Sequence, residues 1–167
     1  MTKKKMMMWI GILVVLIVYF WFTWPTRDRY ISDMEISVLK AEWSKPSLDT
    51  TIDGNPIQID GKTYTKGIGV HANSELSVQV PGGYTHFVAE VGVDDEIQEE
   101  KPASVIFQVL GDGAVLYESP ILTSDKPPYR ICVNIQQVNQ LVLSVSGGED
   151  GNIADHADWG LARFTNF

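Results

Sequence analysis

The chain reads as an all-β protein, an antiparallel β-sandwich of jelly-roll type preceded by one N-terminal transmembrane helix. Three observations predict it. From Met34 onward, short stretches place apolar residues at every second position; strings of Gly, Pro, Asp and Asn separate them; and one long uncharged apolar run lies ahead of them all.

The apolar run comes first in the chain. Met6 to Trp24 reads MMMWIGILVVLIVYFWFTW behind Lys3, Lys4 and Lys5. As a helix it is about 28 Å long, close to the roughly 30 Å of a bilayer core. It leaves through Phe20, Trp21, Phe22, Thr23, Trp24 and Pro25 with no small-residue cleavage site, so it is expected to stay as a signal anchor. Trp9 and the group Tyr19, Trp21 and Trp24 suit the two interfacial belts, and the lysine triplet is expected to stay cytoplasmic, placing the rest outside the cytoplasm, periplasmic or extracellular. Residues 1–25 are thus the stub and anchor, 26–32 a tether, and 33–167 one domain long enough for a single core.

The strands follow in order. Leu76, Val78 and Val80 alternate in ELSVQV; Phe87, Ala89, Val91 and Val93 in HFVAEVGV; Val105, Phe107 and Val109 in SVIFQVL; Ile131, Val133 and Ile135 in ICVNI; Leu141, Leu143 and Val145 in LVLSV. PGG, GDG, DKPP and GGEDGN supply the turns between them. This spacing predicts about eight to ten strands whose apolar faces pack as two sheets. Cys132 is the only cysteine, so no intramolecular disulfide staples the fold, and it is expected to be a small buried apolar residue.

Without the three anchor lysines, 10 basic side chains face 21 acidic ones, a net charge of about −11. Such a surface repels phosphate backbones and excludes nucleic acid as a partner, while it tolerates neutral glycans and cations.

Three polar stretches interrupt the strands. KGIGVHANSE carries His71, Asn73, Ser74 and Glu75; VGVDDE ends in Asp94, Asp95 and Glu96; DHADWG carries Asp155, His156, Asp158 and Trp159. Paired carboxylates are what a glycosidase needs, but loop acids also cap turns, and no G-x-S-x-G elbow is present. The three histidines are too scattered for a zinc motif. Calcium prefers oxygen-rich tight loops, for which DTTIDGN and EDGN offer Asp49, Asp53 and Asp150. A sugar site asks for an aromatic face beside a few fixed polar groups, and Trp159 with Asp155, His156 and Asp158 has that composition. Trp159 could equally begin the last strand and point into the core.

Taken together, TKGIGVHANSELSV, GGYTHFVAEVGVDDE, SVIFQVLGDGAVLYESPIL and LVLSVSGGEDGNIADHADWGLARF resemble, in order and spacing, the NPCBM domain, the carbohydrate-binding modules of family 51. The resemblance covers nearly all of Tyr30 to Phe164. It implies a galactose-binding-like β-sandwich that is not an enzyme, is usually appended to a glycoside hydrolase, binds galactose-type or related glycans, and in some members holds structural calcium. The motif positions carried over are His71, Ala72, Ser74 and Glu75, then Asp94, Asp95 and Glu96, then Asp155, His156, Asp158 and Trp159. The loop after Trp43, SKPSLDTTIDGNPIQI, departs from the family pattern. The expectation is a non-catalytic glycan-binding module on a single-pass membrane anchor, acting with a separate carbohydrate-active enzyme as protein partner. The alternative is an envelope structural or protein-interaction domain with a degenerate sugar site.

Overall fold

The computed structural model describes residues 28–97, 103–148, 151 and 154–167. The expected anchor, residues 26 and 27 of the tether, and Asp150 lie outside the described residues. In chain order the strands are β1 (Arg29–Tyr30), β2 (Ser37–Ala41), β3 (Ser47–Leu48), β4 (Ile57–Ile59), β5 (Lys62–Tyr64), β6 (Gly67–His71), β7 (Ser74–Gln79), β8 (His86–Val93), β9 (Ser104–Gly111), β10 (Ala114–Glu118), β11 (Leu122–Thr123), β12 (Tyr129–Asn134), β13 (Gln140–Gly147) and β14 (His156–Thr165). A first sheet has the order β12-β8-β14-β6-β3, with β1 also on β14; a second has the order β10-β9-β13-β7-β2, with β11 also on β9; β4 and β5 form a hairpin of their own. All pairings are antiparallel.

The described strands outnumber the eight to ten expected, because β1, β3, β4, β5 and β11 have only two or three residues. Such stretches are too short to display a period of two. The longer strands lie where the alternation places them, and their alternating residues, from Leu76 to Val145, meet between the two sheets as one core. Cys132 corrects the expectation made for it: its neighbours Ile131 and Val133 are buried, so the pleat turns Cys132 to the opposite, exposed face of the edge strand β12.

Trp159 also belongs to this core. It is fully buried, packed edge-on against Phe107 at 4.9 Å between ring centroids, with Phe87 at 6.3 Å. Alternation along β14 explains the placement, since Ala157 and Trp159 face inward while His156, Asp158 and Gly160 take the other side of the sheet. Trp159 therefore has no face to offer a sugar, which corrects its candidacy as a stacking residue.

The outer side of the first sheet is covered by the loop after β3 and by the β4–β5 hairpin. Gly69 and Gly92 flank Asp158 in register on the two neighbouring strands. A Cβ at Gly69 would lie 2.5 Å from the Thr50 carbonyl oxygen, and one at Gly92 would lie 2.5 Å from Ile59 Cγ2. Glycine at these positions lets the covering chain lie flat on the sheet. Ile57, Ile59 and Tyr64 then form a small second core under the hairpin, against Leu161.

The same close cover buries Asp158, which is 1% exposed. Among the described residues no amide or hydroxyl donor reaches either of its oxygens, and its hydrogen-bonding neighbour is the Asp94 carboxyl. Burial first, then Asp94, push its pKa well above the usual 3.8, which favours the neutral acid with its proton directed toward Asp94. An acid with a raised folded pKa contributes fully below the unfolded value and loses that contribution as pH rises toward the folded one.

Two outcomes follow for unfolding experiments. Trp159→Ala should lower stability by about 3–5 kcal/mol, measured by thermal or denaturant unfolding, because it opens a cavity at the centre of the sandwich. Asp158→Asn keeps a donor for Asp94 but removes the ionisable proton; melts at several pH values should show it more stable than the native chain, by about 1 kcal/mol or more at pH 8 and by progressively less toward pH 4. A gain that does not vary with pH would contradict the ionisation argument.

Candidate functional site

Where the outer side of the first sheet meets the end of the sandwich, β6 and β14 finish opposite each other in the register pair His71↔His156. Both imidazoles are 7% exposed, and their ring centroids are 5.4 Å apart, edge to face. Over them lies Trp43, 62% exposed, at 4.7 Å from the His71 ring and 5.5 Å from the His156 ring. An open indole face thus stands beside two sheltered, directed polar rings.

Each ring is held by its own partner. His71 donates Nδ1–H to the Ala72 carbonyl at 2.5 Å, which leaves Nε2 as the acceptor of the neutral ring. Burial, with His156 adding to it, lowers the His71 pKa against the opposing pull of that carbonyl, so His71 is neutral at pH 7. His156 donates Nδ1–H to Glu96 Oε1 at 2.7 Å, while Glu96 Oε2 accepts from Thr51 Oγ1 at 2.8 Å and from Asn55 Nδ2 at 3.0 Å. Burial works against the Glu96 charge, but the hydrogen bonds from Asn55, His156 and Thr51 outweigh it and hold the carboxyl below the usual glutamate range. Glu96 is a fixed anion joining β14 to the loop after β3.

Asn73 holds Glu42, the residue before Trp43. The Asn73 carbonyl accepts from Glu42 N at 3.2 Å, its Nδ2 donates to the Glu42 carboxylate at 2.9 Å, and its Oδ1 accepts from Gly147 N at 3.3 Å. Lys40 pairs with the same Glu42 at 2.8 Å.

The candidates named from the sequence thus divide. His71, His156 and Glu96 converge beside Trp43, with Asn73 behind them. Asp94 and Asp155 are buried and serve backbone amides: Asp94 accepts from Gln58 N at 3.2 Å and Glu96 N at 2.7 Å, Asp155 from Ser104 N at 3.1 Å. Asp95 accepts from Asp60 N and Gly61 N, both at 2.8 Å, and so holds the turn of the β4–β5 hairpin. Buried or committed in this way, Asp94, Asp155 and Asp158 are supports with no surface for a ligand, which corrects their candidacy. Glu75 lies on the second sheet, paired in register with Lys40 and Ser144, away from the two histidines.

Among the described residues, the calcium candidates Asp49 and Asp53 have different partners. Asp49 is engaged by the Lys66 ammonium at 2.8 Å and by Gly67 N at 3.1 Å. Asp53, Glu96 and His156 do place ligand atoms within 4.8 Å of one another. That set offers a nitrogen and two carboxylates, one of them already engaged by three donors, which does not fit an ion that takes six to eight oxygens. Trp43, Thr51 and Asn55 were not singled out from the sequence. The available signal was Trp43 itself, an indole within AEWSKPS that belongs to no apolar alternation.

Comparison with known proteins agrees with this architecture. The family model described as the NPCBM/NEW2 domain matches residues 27–165. A curated relative, the putative endo-alpha-N-acetylgalactosaminidase of Renibacterium salmoninarum, is 34% identical over 149 residues, 84% of this chain. The chain spans only 10% of that relative's length. Among solved structures, CBM51-2 with the INT domain of Clostridium perfringens ZmpB, in complex with GlcNAc, aligns with a TM-score of 0.79 at 32% identity, covering 84% of this chain and 32% of that one. The CBM51 of Clostridium perfringens GH95, in complex with methyl-galactose, aligns with a TM-score of 0.77 at 33% identity, covering 83% of this chain and 100% of that one. With its two antiparallel sheets and its matching strings in order, the chain belongs to the NPCBM/NEW2 domain family and is a non-catalytic module of the CBM51 type.

Proposed function

We propose that this module binds galactose-type or related glycans at the cluster of Trp43, His71, His156 and Glu96. The observation that carries the reading is the exposed indole face of Trp43 over two partly sheltered imidazoles. A pyranose presents one face of C–H groups, which packs on an indole, and a rim of hydroxyls, which need fixed donors and acceptors. His71 Nε2 supplies an acceptor, and Glu96 with Asn55 and the exposed Asp53 supplies polar groups alongside. The sugars bound by the two CBM51 relatives support this choice of ligand.

The module is held at a membrane by residues 1–25, with the N-terminus cytoplasmic and the sandwich outside the cytoplasm. The uncharged run from Met6 to Trp24 behind three lysines supports that arrangement. Its partner is a separate carbohydrate-active enzyme, whose substrate the module keeps close; the hydrolase name of the curated relative supports this part.

Calorimetric titration of the full chain, in a detergent without a sugar headgroup, with galactose, N-acetylgalactosamine and N-acetylglucosamine tests the reading. Trp43→Ala should weaken binding at least tenfold while changing stability by no more than about 0.5 kcal/mol, because the side chain is exposed. A folded native chain that binds none of these sugars would sink the proposal and favour a protein-interaction role.

A further inference from the structure

A groove of about 470 Å³ opens on the outer side of the second sheet, where β2, β7 and β13 run together. Its residues come in register pairs, Ser37↔Ser77 across β2 and β7 and Gln79↔Gln140 across β7 and β13. Leu76, Val78 and Leu141 point into the core, so the pleat turns these hydroxyls and amides to one outward face. Ser77 forms the floor, only 3% exposed, and accepts from Gln140 Nε2 at 2.7 Å. That bond orients the Gln140 amide and leaves its Oε1 for a ligand.

The rest of the lining narrows the ligand class. Met34 and Leu39 add apolar surface, Leu39 being 57% exposed, while Arg29 and Glu35 contribute one charge of each sign. Balanced charge selects neither an anion nor a cation. Side-by-side amides and hydroxyls beside apolar surface suit a neutral polyhydroxylated molecule, which needs both donors and acceptors and also has C–H faces to bury. The volume falls in the range of roughly 300–1,000 Å³ usual for small-ligand pockets.

We propose that this groove is a second saccharide-binding site, separate from the Trp43 cluster. The two lie on the outer sides of opposite sheets, so one sugar ring cannot reach both. Two sites on one module let it hold two branches or two chains of a glycan, and the second contact forms at the effective concentration set by the first.

The test is a nitrogen-15 amide titration of the full chain in a detergent without a sugar headgroup, using methyl-galactoside and lactose as probes. Saturable shifts of the Ser77, Gln79 and Gln140 amides are expected, and they should persist in Trp43→Ala. The double variant Gln79→Ala/Gln140→Ala should weaken the groove response at least tenfold and leave the Trp43 indole response in place. Groove amides that stay still while the Trp43 indole responds would overturn this proposal alone. Shifts that vanish together with Trp43 would also overturn it, since they would belong to a single site. An unresponsive indole beside responsive groove amides would count against the Trp43 reading and leave the groove standing.

Discussion

Three consecutive carboxylates at the end of β8 hold the polar end of this molecule together. Asp94 ties Gln58 of the hairpin to the turn that follows β8, Asp95 holds the hairpin's own turn, and Glu96 binds Thr51, Asn55 and His156. Each reaches a different segment because the chain turns as it leaves the strand. Charge-assisted bonds of this kind are roughly twice as strong as neutral ones, and here they replace the sheet ladder that the covering loops lack. The positions of Thr51, Asn55 and His156 beside Trp43 depend on Glu96, and the hairpin's position depends on its two neighbours.

That arrangement has a cost, and the molecule meets it with small residues and a proton. Glycines on β6 and β8 remove the side chains that would lift the cover off the sheet. The remaining acid beneath it, Asp158, is so well covered, and so close to Asp94, that its neutral form is favoured. Burying a neutral acid against a carboxylate is far less costly than burying two charges. The concentration of acids in VGVDDE and DHADWG is therefore architecture first, and of its members Glu96 lies beside the candidate site, through His156.

Much of this was legible in the sequence. A period of two in five long stretches located β7, β8, β9, β12 and β13 and their inward residues, and three polar strings marked the loops around the site. The same period could have resolved Trp159, since it shares a phase with Ala157 and opposes His156 and Asp158. Alternation cannot say what covers a sheet's outer face, so it could not separate the half-buried Glu96 from the buried Asp94 and Asp158. Nor could it see strands of two residues, or bring Trp43 to histidines that follow it by 28 and 113 positions in the chain.

The pairing of β1 with the end of β14 carries a mechanical consequence. Asp28, just ahead of β1, bonds Arg163 at 2.8 Å and Thr165 at 2.6 Å, whereas His156 opens β14 at the other end. At the rise of a strand, those two ends lie roughly 25 Å apart. Tension between Asp28 and the His156 end of the sheet runs along β14. It loads the flanking hydrogen-bond ladders in shear, many bonds at once, instead of unzipping them singly. The first sheet thus resists in shear a pull directed from Asp28 to the His156 end of β14.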